Sequence, residues 1–495
     1  MRVAVVGAGF AGLAVLKVLR ELGHEVVVFE KAPDVGGVWS RTRRYSGLTT
    51  QNNKDTYTFS DHPMPAEYPE WPSGAQVQAY LEAYVRKFGL GPSLRLSTEV
   101  VRTEPTDAED GWLVTVRPAG GSLQAPERFD HLVVANGIFS DPVLPKYEGY
   151  SDLVRHGGRL LAPSQLNDIT EGAGRHVLVV GYGKSACDIA TSLGPIAAST
   201  RVVARSLLWK MPKKIGRVLN FKYLLLTRLG EGLFRYITPV GIENFLHGRG
   251  RLVTRAMIGS IATITTRQLT LRKLGLVPHG VFTDIARQSV SLVSDQFFEQ
   301  IRSGKIVVHR DTVIERFVIR DGRPYAKLSD GHIVPADLVV CGTGWHQRVP
   351  FLDQKIQKRL LDDDGNFHLW RQILPHDVPN LTFNGYNSSY FSPLSAEAGA
   401  LWIGAHLAGK VPLPPLEERR ELVEARLRWT EERTQGHHAR GTCVIPFSMH
   451  NVDETLDDID LNVSRGVKVK QWLLPIDPSV YEGSIGRLKE RLARA

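Results

Sequence analysis

Two stretches of this chain read as a buried strand running into a glycine-spaced turn and then a helix. The first is at the start, where Val3-Ala4-Val5-Val6 meets Gly7-Ala8-Gly9-Phe10-Ala11-Gly12. The second is His176-Val177-Leu178-Val179-Val180 meeting Gly181-Tyr182-Gly183-Lys184-Ser185-Ala186. In such a unit one glycine makes the tight turn, a second lets backbone approach a pyrophosphate, and a third small residue lets helix and strand pack closely. The helix N-terminus then presents free N–H groups and the positive end of its dipole. A single G-x-G-x-x-G is weak, because glycine-rich turns are common. Here each motif follows a hydrophobic strand and opens an apolar helix. The pair predicts an α/β fold with two Rossmann-like dinucleotide-binding domains.

The strand that follows each turn separates the two sites. After the first, Glu25-Val26-Val27-Val28-Phe29 ends in Glu30, where an acid receives ribose hydroxyls. After the second, Arg201-Val202-Val203-Ala204 runs into Arg205 and Ser206. An acid there would repel a 2′-phosphate, whereas an arginine can bind one through a charge-assisted fork. The second site therefore reads as NADP(H), and the first as FAD or NAD. The plain alternatives are a glycine-rich turn with a solvated Glu30, and a surface arginine on a basic stretch.

At 495 residues the chain has room for two or three domains. Its 42% hydrophobic and 23% charged content is that of an ordinary globular protein. Three cysteines, Cys187, Cys341 and Cys443, are too few and too scattered for a disulfide framework or a zinc site. No metal site is read, and a reducing compartment, the cytoplasm, is expected. Neither a signal peptide nor an apolar run of about 18 residues is found. The formal net charge of +9 is concentrated in 201–280, with roughly 15 Lys and Arg against 2 acids. No nucleic-acid motif accompanies it, so nucleic acid is not an expected partner.

The order of elements predicts a nested organisation. Residues 1–165 form the first part of one nucleotide domain. Residues 166–335 form the other, interrupted by a helical insertion at about 207–290. Residues 336–495 open with the strand Ala336 to Gly344 and return to the first domain. The insertion reads as a lid over a substrate route; ordinary packing and a peripheral membrane or carrier-protein contact are the alternatives.

Further segments bear a family resemblance. Gly36-Gly37-Val38-Trp39 resembles a GGxW motif, and Leu48 to Asp55 with Phe59 to Pro65 resembles a K-E…SDFPFP segment. Cys187-Asp188-Ile189-Ala190, Trp209-Lys210-Met211-Pro212, Cys341-Gly342-Thr343-Gly344-Trp345, Glu397 to Trp402 and His450 to Ile459 follow in matching order. In these the chain resembles the flavin-containing monooxygenases, class B flavoprotein monooxygenases, over nearly its full length. The resemblance implies FAD and NADP(H) as cofactors, and dioxygen and a small-molecule substrate as reactants. It implies oxygen transfer to a nucleophilic N or S through a 4a-hydroperoxyflavin; ketone oxygenation of Baeyer–Villiger type and NADPH oxidation without oxygen transfer stay open. Beyond the two turns with Glu30, Arg205 and Ser206, it places Lys31, Gly37, Val38, Trp39, Val100, Ala135, Thr343 and Gly344 at the cofactors. Gln51 and Asn52 are the catalytic candidates. Two departures stand out. The family fingerprint histidine before the second strand is Ala162, and the family asparagine three residues before Lys54 is Gln51. The oligomeric state, a homodimer included, is left open.

Overall fold

The computed structural model describes residues 1–287, 291–437 and 440–494. Two five-stranded parallel sheets repeat one plan. In the first, strands run in the order Leu381–Phe383, His131–Val134, Arg2–Val6, Glu25–Phe29, Leu94–Arg95. In the second the order is Leu338–Cys341 beside His176–Val180, then Ser199–Ala204 and Ile306–Arg310, with Arg159–Leu161 outermost beside Leu338–Cys341. Each plan carries a three-stranded antiparallel sheet inserted before its His131–Val134 or Leu338–Cys341 strand: Thr98–Pro105, Trp112–Pro118 and Glu127–Phe129 in the first unit, Ile314–Arg320, Arg323–Leu328 and Ile333–Pro335 in the second.

Both central strands are apolar because both faces of a parallel sheet are covered. Val3, Ala4 and Val5 are fully enclosed, as are Leu178 and Val179. Burying one such valine or leucine contributes about 1.5–3 kcal/mol. Helix Phe10–Glu21 lies on the first sheet and packs on the almost wholly buried helix Ser392–Leu407. Gly404 makes that approach close: a Cβ there would sit 2.5 Å from Leu22 Cδ1. The Asn384 amide ties both helices by donating to the Ala11 and Ala396 carbonyls at 3.1 and 3.0 Å. Helix Gly74–Lys87 starts with a reciprocal Ser73/Gln76 capping box, which satisfies two otherwise orphaned N–H groups.

The second sheet reaches beyond the expected 166–335 limits. Arg159–Leu161 and Leu338–Cys341 both pair within it, so the return to the first sheet comes only at Leu381–Phe383. The chain crosses between units twice, and the crossings pair antiparallel, Pro142 with Trp345 and Asp141 with His346. Asn136 Nδ2 donates to Arg348 O at 3.0 Å between the same segments.

The expected helical insertion is only partly helical. Its root is a parallel ribbon of Lys210–Pro212 with Ser291–Val293. Its largest helix is Arg251–Gln268. Buried ion pairs fasten the insertion to the last part of the chain. Arg228 makes a fork to Asp453 at 2.6 and 2.9 Å. His450 lies between Glu231, 2.5 Å from Nδ1, and Glu243, 3.0 Å from Nε2. Burial alone would lower the His450 pKa, but the two carboxylates outweigh it and hold it at about 10. Among the described residues no helix is long and apolar enough to cross a membrane.

Candidate active site

The two turns share a backbone. Gly7 and Gly181 both sit at φ +111°, a region that L side chains rarely adopt. A Cβ on either would lie 2.4 Å from a carbonyl oxygen, that of Ala135 or that of Gly342. Gly7 N donates to Phe29 O at 2.8 Å and Gly181 N to Val203 O at 2.9 Å, so Phe29 and Val203 are equivalent positions. Ala135 continues the neighbouring strand, its N–H on Val6 O at 3.0 Å.

At the first turn a Cβ on Gly12 would stand 1.8 Å from Gly7 O, so only glycine lets this helix approach. Gly9 caps the helix without any side-chain bond, and Gly37 lies close by: a Cβ on Gly37 would fall 3.3 Å from Gly9 Cα. Two bare backbones thus face each other at the helix N-terminus. Gly36 N–H fixes the Ala8 carbonyl at 3.0 Å. Glu30 is buried at the strand end, and its carboxylate accepts the Ala8 and Ala32 N–H groups, both at 2.9 Å. Lys31 and Val38 are exposed. Trp39 is buried against Tyr57, and Phe10 against Tyr57 and Phe59. Val100 is buried in the apolar cluster of Phe29, Trp112 and Phe129.

At the second turn Gly183 caps helix Lys184–Leu193, again without a side-chain bond, and its would-be Cβ meets nothing within 4 Å. Ala186 takes the third small position and is fully buried. The strand ends at Ala204, so Arg205 and Ser206 follow it instead of closing it. By the Phe29–Val203 equivalence the counterpart of Glu30 is the buried Ala204, and that of Lys31 is Arg205. The acid position is therefore apolar, and the cation stands one residue beyond. Arg205 and Ser206 are exposed, with no hydrogen bond or ion pair among the described residues. Lys184 is paired with Asp188, whose other contact is the Tyr45 hydroxyl of the first unit at 3.0 Å. Ser185 adjoins that same hydroxyl.

Gln51 and Asn52 lie where three segments meet. Leu292 N, in the ribbon at the root of the insertion, donates to Gln51 Oε1 at 3.3 Å. Asn52 Nδ2 donates to Tyr390 O at 2.6 Å, and Asn52 is buried. Asn52 thus joins its loop to the segment before helix Ser392–Leu407. Gln51 keeps its Nε2 without a partner among the described residues. Thr343 and Gly344 stand at the crossover. Thr343 Oγ1 donates to Val143 O, and Gly344 is exposed, its carbonyl taking Val143 N at 3.0 Å. Ala162 is fully buried at the end of the outermost strand of the second sheet, its N–H on Gln165 Oε1 at 2.8 Å.

Three further residues border the site. Burial pushes the Tyr57 hydroxyl up to about 12, so it stays neutral beside Trp39. Arg43, half-buried, donates to Phe139 O at 2.8 Å and feels the Glu30 charge. Glu397 accepts the Ser60 N–H and hydroxyl, both at 2.9 Å, and burial raises its carboxyl to about 8. Only Glu397 had a sequence signal, as part of a motif; the other two depend on contacts remote in the chain. A cavity of about 370 Å³ near Arg20, His24 and Arg95 opens at the beginning of strand Glu25–Phe29, the wrong end of the sheet for a nucleotide.

These observations fit two dinucleotides: two uncapped helix N-termini, two cradles that a side chain would fill, and strand ends of opposite character. Comparison with known proteins agrees. Flavin-containing monooxygenase 1 of Rattus norvegicus is 24% identical over 490 residues, covering 96% of this chain and 85% of that protein. The S-allyl-L-cysteine S-oxygenase structure from Allium sativum superposes with a TM-score of 0.61 at 18% identity, covering 100% of this chain and 99% of that one. An oxidised steroid monooxygenase bound to NADP gives 0.68 at 17% identity, covering 93% and 98%. The family model for flavin-binding monooxygenase-like proteins matches residues 1–478. The chain belongs to that family, and is an FAD- and NADPH-dependent monooxygenase.

Proposed function

We propose that the Gly7–Gly12 turn holds FAD, that the Gly181–Ala186 turn holds NADPH, and that the enzyme inserts one oxygen atom of dioxygen into a small organic substrate at a nucleophilic nitrogen or sulfur. The observation that carries this reading is the opposite character of the two strand ends. Glu30 is a buried acceptor beside the first turn, and Arg205 an unpaired exposed cation beside the second. FAD reduced by NADPH supplies the dioxygen chemistry when both are bound.

The chain's own residues position and exclude water. Gly9 and Gly37 admit the diphosphate, and the uncapped N–H groups after Gly9 and Gly183 receive it. Trp39, Tyr57 and Phe10 form an aromatic wall that keeps water out. Gln51 offers its Nε2 as a hydrogen-bond donor, while Asn52 holds the loop in place. The nitrogen or sulfur assignment is supported by relatives named flavin-containing monooxygenase and by the likeness to an S-oxygenase. The test is a panel of amines, sulfides and ketones with ¹⁸O₂, following NADPH consumption and product mass together. One labelled atom in an N- or S-oxide supports the reading. An ester from a ketone, or peroxide alone from every compound, overturns it.

A further inference from the structure

Beneath the second turn lies a charged group that the first turn lacks. Lys210, at the root of the insertion, is 1% exposed. Its ammonium donates to the Tyr182 carbonyl, in the middle of the turn, and to Ser291 Oγ at 2.8 Å. It also lies 4.6 Å from the centre of the Tyr182 ring. Among the described residues no carboxylate is within ion-pair distance of it; Asp188, close enough to be felt, is committed to Lys184 and Tyr45. Burial lowers the Lys210 pKa, against the pull of the neighbouring Cys187 thiol and of Asp188, and a buried cation is costly unless something else offsets it.

The peptide linking Tyr182 to Gly183 explains what Lys210 does. A trans peptide points its C=O and N–H in opposite directions. Anchoring the Tyr182 carbonyl inward therefore turns Gly183 N–H the other way, at a glycine whose would-be Cβ meets nothing within 4 Å. At the first turn the equivalent Ala8 carbonyl is anchored by a neutral donor, Gly36 N–H. One job is thus done by an amide in one turn and, in the other, by a lysine with the Cys187 thiol 3.8 Å from the same carbonyl.

We propose that Lys210 is a positioning residue of the nucleotide site: it fixes the peptide that offers Gly183 N–H to the cofactor diphosphate, and its unpaired charge is offset by that diphosphate. This rests on the assignment of NADPH to the second turn. Because the diphosphate is common to both nicotinamide cofactors, Lys210 acts on NADPH and NADH alike, unlike Arg205.

The test is anaerobic reduction of the FAD-loaded enzyme by each cofactor, comparing Lys210→Met, Lys210→Gln and Ser291→Ala with the parent. Lys210→Met should weaken both cofactors roughly ten-fold or more, while the limiting rate at saturation and the flavin content stay near the parent's. Lys210→Gln, a neutral donor, should recover part of the loss. Parent-like affinity in Lys210→Met, or a loss confined to the limiting rate, overturns the proposal. If Lys210→Met does not fold, parent-like affinity in both Lys210→Gln and Ser291→Ala overturns it instead. The underlying assignment fails separately: Gly183→Val reduced by NADPH as readily as the parent would remove the second turn from the nicotinamide site, whatever Lys210 does.

Discussion

The Gly7–Gly12 and Gly181–Ala186 turns have the same backbone and opposite electrostatics. Both begin at φ +111°, and both press their first glycine against the carbonyl of a neighbouring strand. They differ in what holds the residue between the first two glycines. Ala8 gives its N–H to the Glu30 carboxylate and its carbonyl to Gly36. Tyr182 gives its carbonyl to Lys210, and the Glu30 position is occupied by Ala204. One frame is thus braced by an acid at the first turn and by a lysine at the second, through side chains and not through the fold.

The largest effect should come from removing a close approach that only one turn requires. Gly12→Val puts its Cβ 1.8 Å from Gly7 O, and the first helix can no longer dock on its strand. Loss of flavin and of cooperative thermal unfolding is expected. The reciprocal Ala186→Gly should cost only about 1 kcal/mol, the helix-interior penalty for glycine, and leave flavin content unchanged.

The next effect sharpens the electrostatic contrast. Arg205 is exposed and has no partner among the described residues, so replacing it should not disturb the fold. A charge-assisted hydrogen bond is worth about 1.5–3 kcal/mol, so Arg205→Ala should weaken NADPH roughly 10- to 150-fold and leave NADH nearly unchanged. Equal losses for both cofactors would give Arg205 a structural role.

How the insertion is fastened to the rest of the chain is open to pH. His450 titrates at about 10 in the folded protein, above its ordinary value of 6.5, because Glu231 and Glu243 flank it. A raised folded pKa means that the folded state holds the proton longer. The stabilisation is therefore complete below about 6.5 and is lost as pH rises through 10. Thermal stability should fall across that window, and His450→Gln should be less stable below it and flatter across it. An unchanged slope in the variant would remove His450 from the account.

The smallest effect concerns the loop between the turns. Gln51→Ala deletes the Nε2 donor, together with the Leu292 N–H bond to Oε1, without touching the Asn52–Tyr390 bond. Flavin reduction by NADPH should keep its rate, while the peroxide formed per NADPH consumed rises a few-fold. A parent-like peroxide yield would mean that this amide does not guard the oxygen chemistry.

The turns were legible because their signals are local. Strand, glycines and helix lie within about ten residues, and Glu30 and Arg205 follow one strand later. What escaped depends on distant pairing. Arg159–Leu161 is too short to announce itself, and it joins the second sheet only by pairing with Leu338–Cys341. The domain border drawn at 166 and 336 therefore fell inside that sheet. Lys210 read as part of a Trp-x-x-Pro motif, because its partners are Tyr182, 28 residues away, and Ser291, 81 residues away. The Asn52 bond to Tyr390 O was not legible either, because that carbonyl lies 338 residues on. The change from Glu30 to Ala204 could be read from the residues, but its register needed the Gly181–Val203 bond.

The division of labour between the turns is tested most directly by a reciprocal pair of valines. Gly9→Val fills the cradle beside Gly37, and Gly183→Val fills the open space at the second helix. Each protein is assayed for bound FAD, and for NADP⁺ binding by calorimetry. Gly9→Val should be colourless yet bind NADP⁺, and Gly183→Val should be yellow, be reduced by dithionite and fail to bind NADP⁺. A folded Gly9→Val that keeps its flavin, or a Gly183→Val that binds NADP⁺ as the parent does, would contradict that division of labour.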